Sequence, residues 1–328
     1  MPKRQISKPT VWELFAGAGF LSYAFLREGF TIAGAVEIDP IAAKTYEANV
    51  GKHVTLADVR TVSPTGRCDV LCLGSPCQSY STLGKRDPND PRHRLILEVV
   101  RWARALKPKI IVIENVPALL NHRVWKLVAK KLNELGYDVA PTVVDAVNFG
   151  APQRRVRSFT FGSAVCLPKV NTQTLGQVAV TVREVWQDLP MTANGINHHY
   201  APTPSELALA RMRVIPPGGD KRDIMRLAPH LAAPSWWRLP AEITDIWGRM
   251  KWDEPSNTIR TALQNPSKGR YIHPEQNRVI SLREAARLQT VPDGWTFAGL
   301  PTQVARQIGN GVPISLGRAV ARAIYAAL

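Results

Sequence analysis

Four short apolar runs follow one another in the first third of the chain: "VWELF" at 11–15, "TIAGAVE" at 31–37, "DVLCLG" at 69–74 and "KIIVIEN" at 109–115. Rich in Val, Ile and Leu and ending at Gly, Pro or an acidic residue, they read as strands buried on both faces. Helical patterns separate or follow them at Leu21–Glu28, Ile41–Asn49, Leu95–Leu106 and Ala118–Leu135. The last aligns Val124, Leu127, Val128, Leu132 and Leu135 on one side and stops at Gly136. Further strands are expected near Val139 and Ser158. Strand–helix alternation of this kind implies an α/β fold with a doubly wound, mainly parallel, Rossmann-like sheet. Such sheets keep their chemistry at the carboxyl ends of the strands.

After about Ala164 the texture changes. Prolines and glycines crowd together ("VIPPGGDKRD", "LAAPSWWRLP"), tryptophans accumulate and the alternation stops. A second, smaller and less regular domain is expected over 176–302, with 1–175 and 303–328 forming the first. The terminal "PISLGRAVARAIYAAL" reads as an amphipathic helix with Pro313 near its start, packed on the first domain.

The formal net charge is +16. Either it merely aids solubility or it draws in a polyanion, most often nucleic acid. No apolar stretch approaches the ~20 residues that span a bilayer. The basic N-terminus also lacks a signal-peptide core, so a cytoplasmic protein is expected. The four cysteines, Cys68, Cys72, Cys77 and Cys166, form no CxxC pair and meet no histidine cluster. That points to a reducing compartment and away from a metal.

"LFAGAGF" follows the first strand and opens the first helix. Glycines there let the backbone approach a ligand, although a turn without a ligand has the same pattern. Glu37 strengthens the ligand reading. It ends the second strand, twenty residues after Gly17, where a carboxylate can accept both ribose hydroxyls of an adenosine. Asp58 after "VTLA" is placed either to accept from an adenine amino group or simply to sit in solvent as a loop acid. Ser22 replaces the third glycine of the dinucleotide fingerprint, and no phosphate-gripping motif accompanies the turn. An adenosine cofactor without phosphate, S-adenosyl-L-methionine, fits best.

A strand also drives into the Gly74-Ser75-Pro76 corner and sets Cys77 just beyond it. Three more pieces join that thiol: Glu114 at the end of the most apolar strand, Arg155 and Arg157 two apart in "APQRRVRS", and the Gly-Asn-Gly turn of "RQIGNGVP". In this order and spacing the chain resembles the cytosine-C5 DNA methyltransferases of prokaryotic and phage type. Phe15–Gly19 is similar to that family's cofactor turn, Pro76-Cys77-Gln78 to its nucleophile motif, and Glu114-Asn115-Val116 to its acid motif. Gln153–Arg157 resembles the paired-arginine motif, "RVISLREAARLQTVPD" the late helical motif and "QIGNGVP" the last. Departures are Ser75, Ala57 and His93, none at a reacting atom.

The resemblance implies a DNA (cytosine-5-)-methyltransferase of the S-adenosylmethionine-dependent fold type, with a smaller target-recognition domain. Catalysis then falls to Cys77, Glu114, Arg155 and Arg157. The Cys77 thiolate adds to cytosine C6, Glu114 sits protonated at N3, and the two arginines hold O2 and a neighbouring phosphate. Cofactor binding falls to Phe15, Ala16, Gly17, Ala18, Gly19, Phe20, Glu37, Ile38, Asp58, Val59, Pro76, Leu95, Asn310 and Gly311. DNA contacts fall to Gln78, Ser79, Ser81, Lys85, Arg86 and Arg94, in a basic loop suited to closing over a flipped base. In the region that would read bases, roughly 176–280, candidate contacts are Arg211, Arg213, Lys221, Arg222, Arg226, Arg238 and Arg249. The partner is double-stranded DNA, with no membrane and no metal. The protein is expected as a monomer, nucleoid-associated, solitary or paired genetically with a restriction endonuclease. Rival readings are a tRNA cytosine-5 methyltransferase, a catalytically silent DNA-binding repressor and, more distantly, an oxidoreductase. Gln78 and a sizeable recognition region favour DNA over tRNA, and retention of Cys77, Glu114 and both arginines argues against a repressor.

Overall fold

The computed structural model describes residues 8–76, 91–171, 179–240 and 242–328. Its strands are β1 (Thr10–Leu14), β2 (Thr31–Glu37), β3 (Val54–Leu56), β4 (Val70–Leu73), β5 (Ile110–Asn115), β6 (Asp138–Asp145) and β7 (Val156–Ser163). They form one sheet in the order β3-β2-β1-β4-β5-β7-β6. β1 to β5 pair in parallel; β7 runs antiparallel to both β5 and β6. The doubly wound, mainly parallel α/β expectation holds.

Helices α1 (Phe20–Arg27), α2 (Pro40–Asn49), α3 (Glu98–Leu106) and α4 (Arg123–Glu134) follow the predicted segments. Two segments are shorter as α-helix than the sequence suggests, because 3-10 turns at Pro91–Leu97 and Pro117–Asn121 precede α3 and α4. In the second case His122 is extended and its Nδ1 accepts from the amide of Val124, so a new helix starts there. The apolar face of α4 also differs by one residue. Leu127 is exposed, whereas Trp125 packs on the core and donates to Thr160 Oγ1. One face of the sheet (Leu14, Leu71, Leu73, Ile111, Ile113) packs against Val99, Trp102 and Leu106 of α3 and Val128 and Leu132 of α4.

Contacts divide the described residues into two compact units. One lies within Met1–Phe149, Val156–Gly176 and Ile314–Leu328; the other lies within Gly150–Arg155 and Gln177–Pro313. The second holds α5 (Val182–Trp186), α6 (Glu206–Val214), α7 (Lys221–Leu227), α8 (Leu282–Leu288) and α9 (Pro301–Asn310) among 3-10 turns and isolated bridges. With few ladders to absorb them, its carbonyls are met by buried cations. Arg249 donates to the carbonyls of Met212, Ile215, His273 and Gln276 and to Asn277 Oδ1. Arg283 donates to the carbonyls of Asn197, Pro292 and Trp295. Part of the formal positive charge therefore holds backbone inside the protein.

The last helix, α10 (Ile314–Ala327), returns to the first unit and packs on α1, as its amphipathic pattern requires. Arg318 and Arg322 pair with Glu28, and Tyr325 meets Phe30 edge-on. The approach is close. A Cβ added at Gly317 would stand 2.8 Å from that of Ala24 and 3.3 Å from Leu21 Cδ1. Gly317→Val should therefore cost on the order of 1–3 kcal/mol through overpacking, read by urea unfolding; unchanged stability would contradict this helix contact.

Candidate active site

At the end of β1 the chain enters a tight left-handed turn. Phe15 has φ 60°, Gly17 55° and Gly19 90°. The two glycines adopt such angles freely, but an aromatic residue does so at a cost of ~1–3 kcal/mol, which marks the turn as a place where strain is retained. The amide of Ala16 donates to the carbonyl of Val36 at 3.1 Å, tying the turn to β2. The side chains of Ala16, Ala18 and Phe20 point into the core, so these residues offer a ligand only their backbone. Space opens beside Gly17, where an added Cβ would meet nothing within 4 Å.

Glu37 closes the turn from the end of β2. Its Oε2 accepts from Gly17 N at 2.7 Å; Oε1 accepts from Ile38 N and Asp39 N at 2.9 and 2.8 Å. Burial pushes the carboxyl up, and the three amides pull it back. Three of its roughly four lone-pair directions are taken, so in this arrangement one acceptor position remains, not the pair expected for two ribose hydroxyls. Ile38 follows with an apolar side chain 62% exposed at the strand end. Val59 instead belongs to the core. Asp58 is held by Arg60, whose side chain and amide hold its carboxyl down at about 2. That is the loop-acid arrangement.

Glu114 is the penultimate residue of β5, and its side chain is 14% exposed. Its Oε1 is 3.3 Å from Arg157 Nε on β7, which is equally enclosed. A Cβ on Gly74, just past β4, would be 3.9 Å from Glu114 Oε2 and 4.0 Å from the carbonyl oxygen of Phe15. The ends of β1, β4 and β5 thus converge within a few ångströms. Asn115 fixes this corner by donating to Ser75 O at 3.1 Å and Ser75 Oγ at 3.3 Å. Ser158 on β7 in turn reaches the carbonyls of Asn115 and Val116. Pro76 closes the described part of this corner, half-buried, while Leu95 sits half-buried and Arg94 exposed in the 3-10 turn before α3. Cys77, Gln78, Ser79, Ser81, Lys85 and Arg86 lie outside the described residues.

Arg155 is 2% exposed, belongs to the second unit and donates to the carbonyls of Ile259 and Gly309 at 2.9 and 3.0 Å. The two-residue spacing puts both arginines on one side only if the segment is a strand, and β7 starts at Val156. Asn310 and Gly311, at the end of α9, also belong to the second unit.

The candidate base-reading cations divide as well. Arg249 and Lys221 are buried, Arg211 lies over the rings of Trp236 and Trp247, and Arg222 and Arg226 pair with Asp220 and Asp223. Arg213 and Arg238 are exposed, and beside Arg238 so is Trp237, whereas Trp236 is core. Among the described residues no group of three His, Cys, Asp or Glu could hold a metal, and no helix is long and apolar enough to cross a membrane.

Residues 10–326 match the family model for C-5 cytosine-specific DNA methylases. The type II methylase M.HgiDII of Herpetosiphon aurantiacus is 32% identical over 96% of this chain and 94% of its own. The type II methyltransferase M1.HphI of Haemophilus parahaemolyticus is 32% identical over 96% and 86%. Among solved structures, an E. coli prophage protein described as a DNA modification methyltransferase aligns over 98% of this chain and 99% of its own. Its TM-score is 0.73 at 22% identity, a likeness of fold.

The Arg155 geometry is directly testable. Arg155→Lys keeps the charge but loses the planar fork whose two terminal nitrogens each donate to one carbonyl. It should cost on the order of 1–3 kcal/mol in urea unfolding, and wild-type stability in that variant would contradict the clip.

Proposed function

The chain belongs to the C-5 cytosine-specific DNA methylase family and is a DNA (cytosine-5) methyltransferase, and from that premise we propose which of its residues carry the reaction. The observation that carries the reading is the enclosed Glu114–Arg157 pair at the strand ends, beside the corner that leads into Cys77.

Cytosine C5 is a weak nucleophile. Addition of the Cys77 thiolate to C6 forms an S–C6 bond and moves the C5–C6 π electrons onto C5, dividing one hard step into two. Glu114, in its acid form, donates to N3 as charge arrives there, and Arg157, 3.3 Å from that carboxyl group, takes O2. Once C5 carries the methyl group, its proton passes to water, the C5–H electrons re-form the C5–C6 double bond, and the S–C6 electrons return to sulfur as the thiolate leaves. The base must be out of the helix for any of these contacts, and the loop from Gln78 to Arg94, with Ser79, Ser81, Lys85 and Arg86, is the segment we assign to covering it. Arg155 is assigned a supporting part, since its guanidinium is occupied by carbonyls.

S-adenosyl-L-methionine supplies an electrophilic methyl group when bound. The residues present fit it. The open space at Gly17 admits a ligand against the backbone, Glu37 retains an acceptor position for a ribose hydroxyl, and exposed Ile38 offers an apolar surface to a flat ring. We assign a specific duplex DNA sequence as substrate and a modification role like that in the relatives' type II names. A cytoplasmic monomer is the matching setting.

Glu114→Gln should slow methyl transfer by on the order of 10²-fold or more while cofactor affinity changes by less than about threefold; the reverse pattern in turnover and equilibrium binding would make Glu114 structural. With labelled cofactor, label should enter duplex DNA and not tRNA. Preferential labelling of tRNA would reverse the substrate assignment.

A further inference from the structure

On the face of β1 opposite Leu14, the reaction leaves one buried acid unused. Glu13 is 4% exposed and sits two residues before the turn, with Ala35 and Cys72 as its register partners on β2 and β4. Ser22 on α1, fully enclosed, donates to Glu13 Oε2. Tyr46 on α2 donates to Ser22 Oγ at 3.0 Å, and His53 Nε2 lies 3.1 Å from the Tyr46 hydroxyl. Four side chains from β1, α1, α2 and the loop after α2 thus make one hydrogen-bonded line from the core outward. The line runs directly beneath the turn. A Cβ on Gly19 would come within 2.8 Å of the Tyr46 ring and 2.7 Å of Val50, so that ring is the floor on which the turn rests. Ser22 stands where a dinucleotide fingerprint would have its third glycine. Here that position takes a hydroxyl with a partner on each side.

We propose that Glu13, Ser22, Tyr46 and His53 are positioning residues for the cofactor turn, and that this hydrogen-bonded line beneath it sets the affinity for adenosyl ligands without Glu13 touching them. This rests on the reading that Phe15–Gly19 and Glu37 hold the cofactor.

Burying a carboxylate without a cation is unfavourable, and burial raises the Glu13 carboxyl from 4.5 to about 8, with Ser22 acting against that rise and the charge of Glu37 adding to it. The ionisable groups facing it are Glu37 from β2, Cys72 from β4 and Tyr46 from α2. The latter two are pushed up by burial and stay neutral. The His53 imidazole, lowered by burial, closes the far end, while Arg318 and Arg322 on α10 are occupied by Glu28. Below about pH 8 Glu13 is therefore neutral, and the turn rests on an uncharged floor. Above it, a second carboxylate appears beside Glu37. The sign for folding follows. A carboxyl raised in the fold contributes stability that is present in full below 4.5 and is lost as pH rises through about 8.

The test is equilibrium binding of S-adenosyl-L-homocysteine, whose thioether carries no charge, to the full chain between pH 6.5 and 9.5. Wild type should lose affinity at least several-fold relative to Glu13→Gln across that range, because the ligand's own titration is common to both. Ser22→Ala removes the hydroxyl that steadies the anion and should move the midpoint of that loss to higher pH. Thermal unfolding of wild type should fall relative to Glu13→Gln over the same interval. A wild-type to Glu13→Gln affinity ratio that stays flat with pH overturns the proposal while leaving the cofactor site intact. If wild type fails to bind at any pH, the cofactor reading itself falls.

Discussion

Everything functional in the first unit depends on one topological constraint. β1 lies between β2 and β4 in a parallel sheet, and β5 follows β4, so four strands deliver their carboxyl ends to the same edge. That places Phe15, Glu37, Gly74 and Glu114 together although they span a hundred positions in sequence. Antiparallel β7 is what completes the edge. Because it runs against β5, its start faces the end of β5, and Arg157 arrives at Glu114. A parallel β7 would have delivered its other end there.

The second unit solves a different problem by different means. Its backbone is largely irregular, and irregular buried backbone leaves carbonyls without ladder partners. Arginine, with five donors on a planar fork, is suited to satisfy several at once. Arg155, Arg249 and Arg283 do this inside the unit, and Gln153 and Gln289 bond to each other and to the Leu288 and Ile308 carbonyls. Part of the basic composition of such a domain therefore reports internal scaffolding. Of the seven cations considered for base reading, Arg213, Arg222, Arg226 and Arg238 are exposed, and of these Arg222 and Arg226 pair with Asp220 and Asp223.

Which features were legible in the sequence follows from their range. Strand runs and helix spacing are local, so β1, β2, β4 and β5 and the pattern of α1 and α2 could be read directly. The carboxylate at Glu37 and the acid at Glu114 followed from strand ends. What a local reading misses is what a distant residue does. Trp125, which packs on the core while Leu127 is exposed, donates to Thr160, and the Arg155 guanidinium is held by the carbonyls of Ile259 and Gly309, more than a hundred positions away. Asn115 and Ser158, which brace the corner before Cys77, could be found only by knowing that β5 and β7 are neighbours. The positive φ of Phe15 leaves no compositional trace. Ser22 was noticed as an absent glycine; its meaning lay in two partners on other elements.

The central claim is that sulfur at position 77 bonds to carbon six of an extrahelical cytosine. Duplex DNA carrying fluorine at C5 of its cytosines tests it most directly. With no proton to lose from C5, elimination is blocked and the thioether persists. After incubation with S-adenosyl-L-methionine, denaturation and mass spectrometry of the digested protein, the account predicts one DNA adduct, on the peptide containing Cys77. It also predicts none in Cys77→Ala. An adduct on another residue, or methyl transfer to ordinary cytosine by Cys77→Ala, would contradict it.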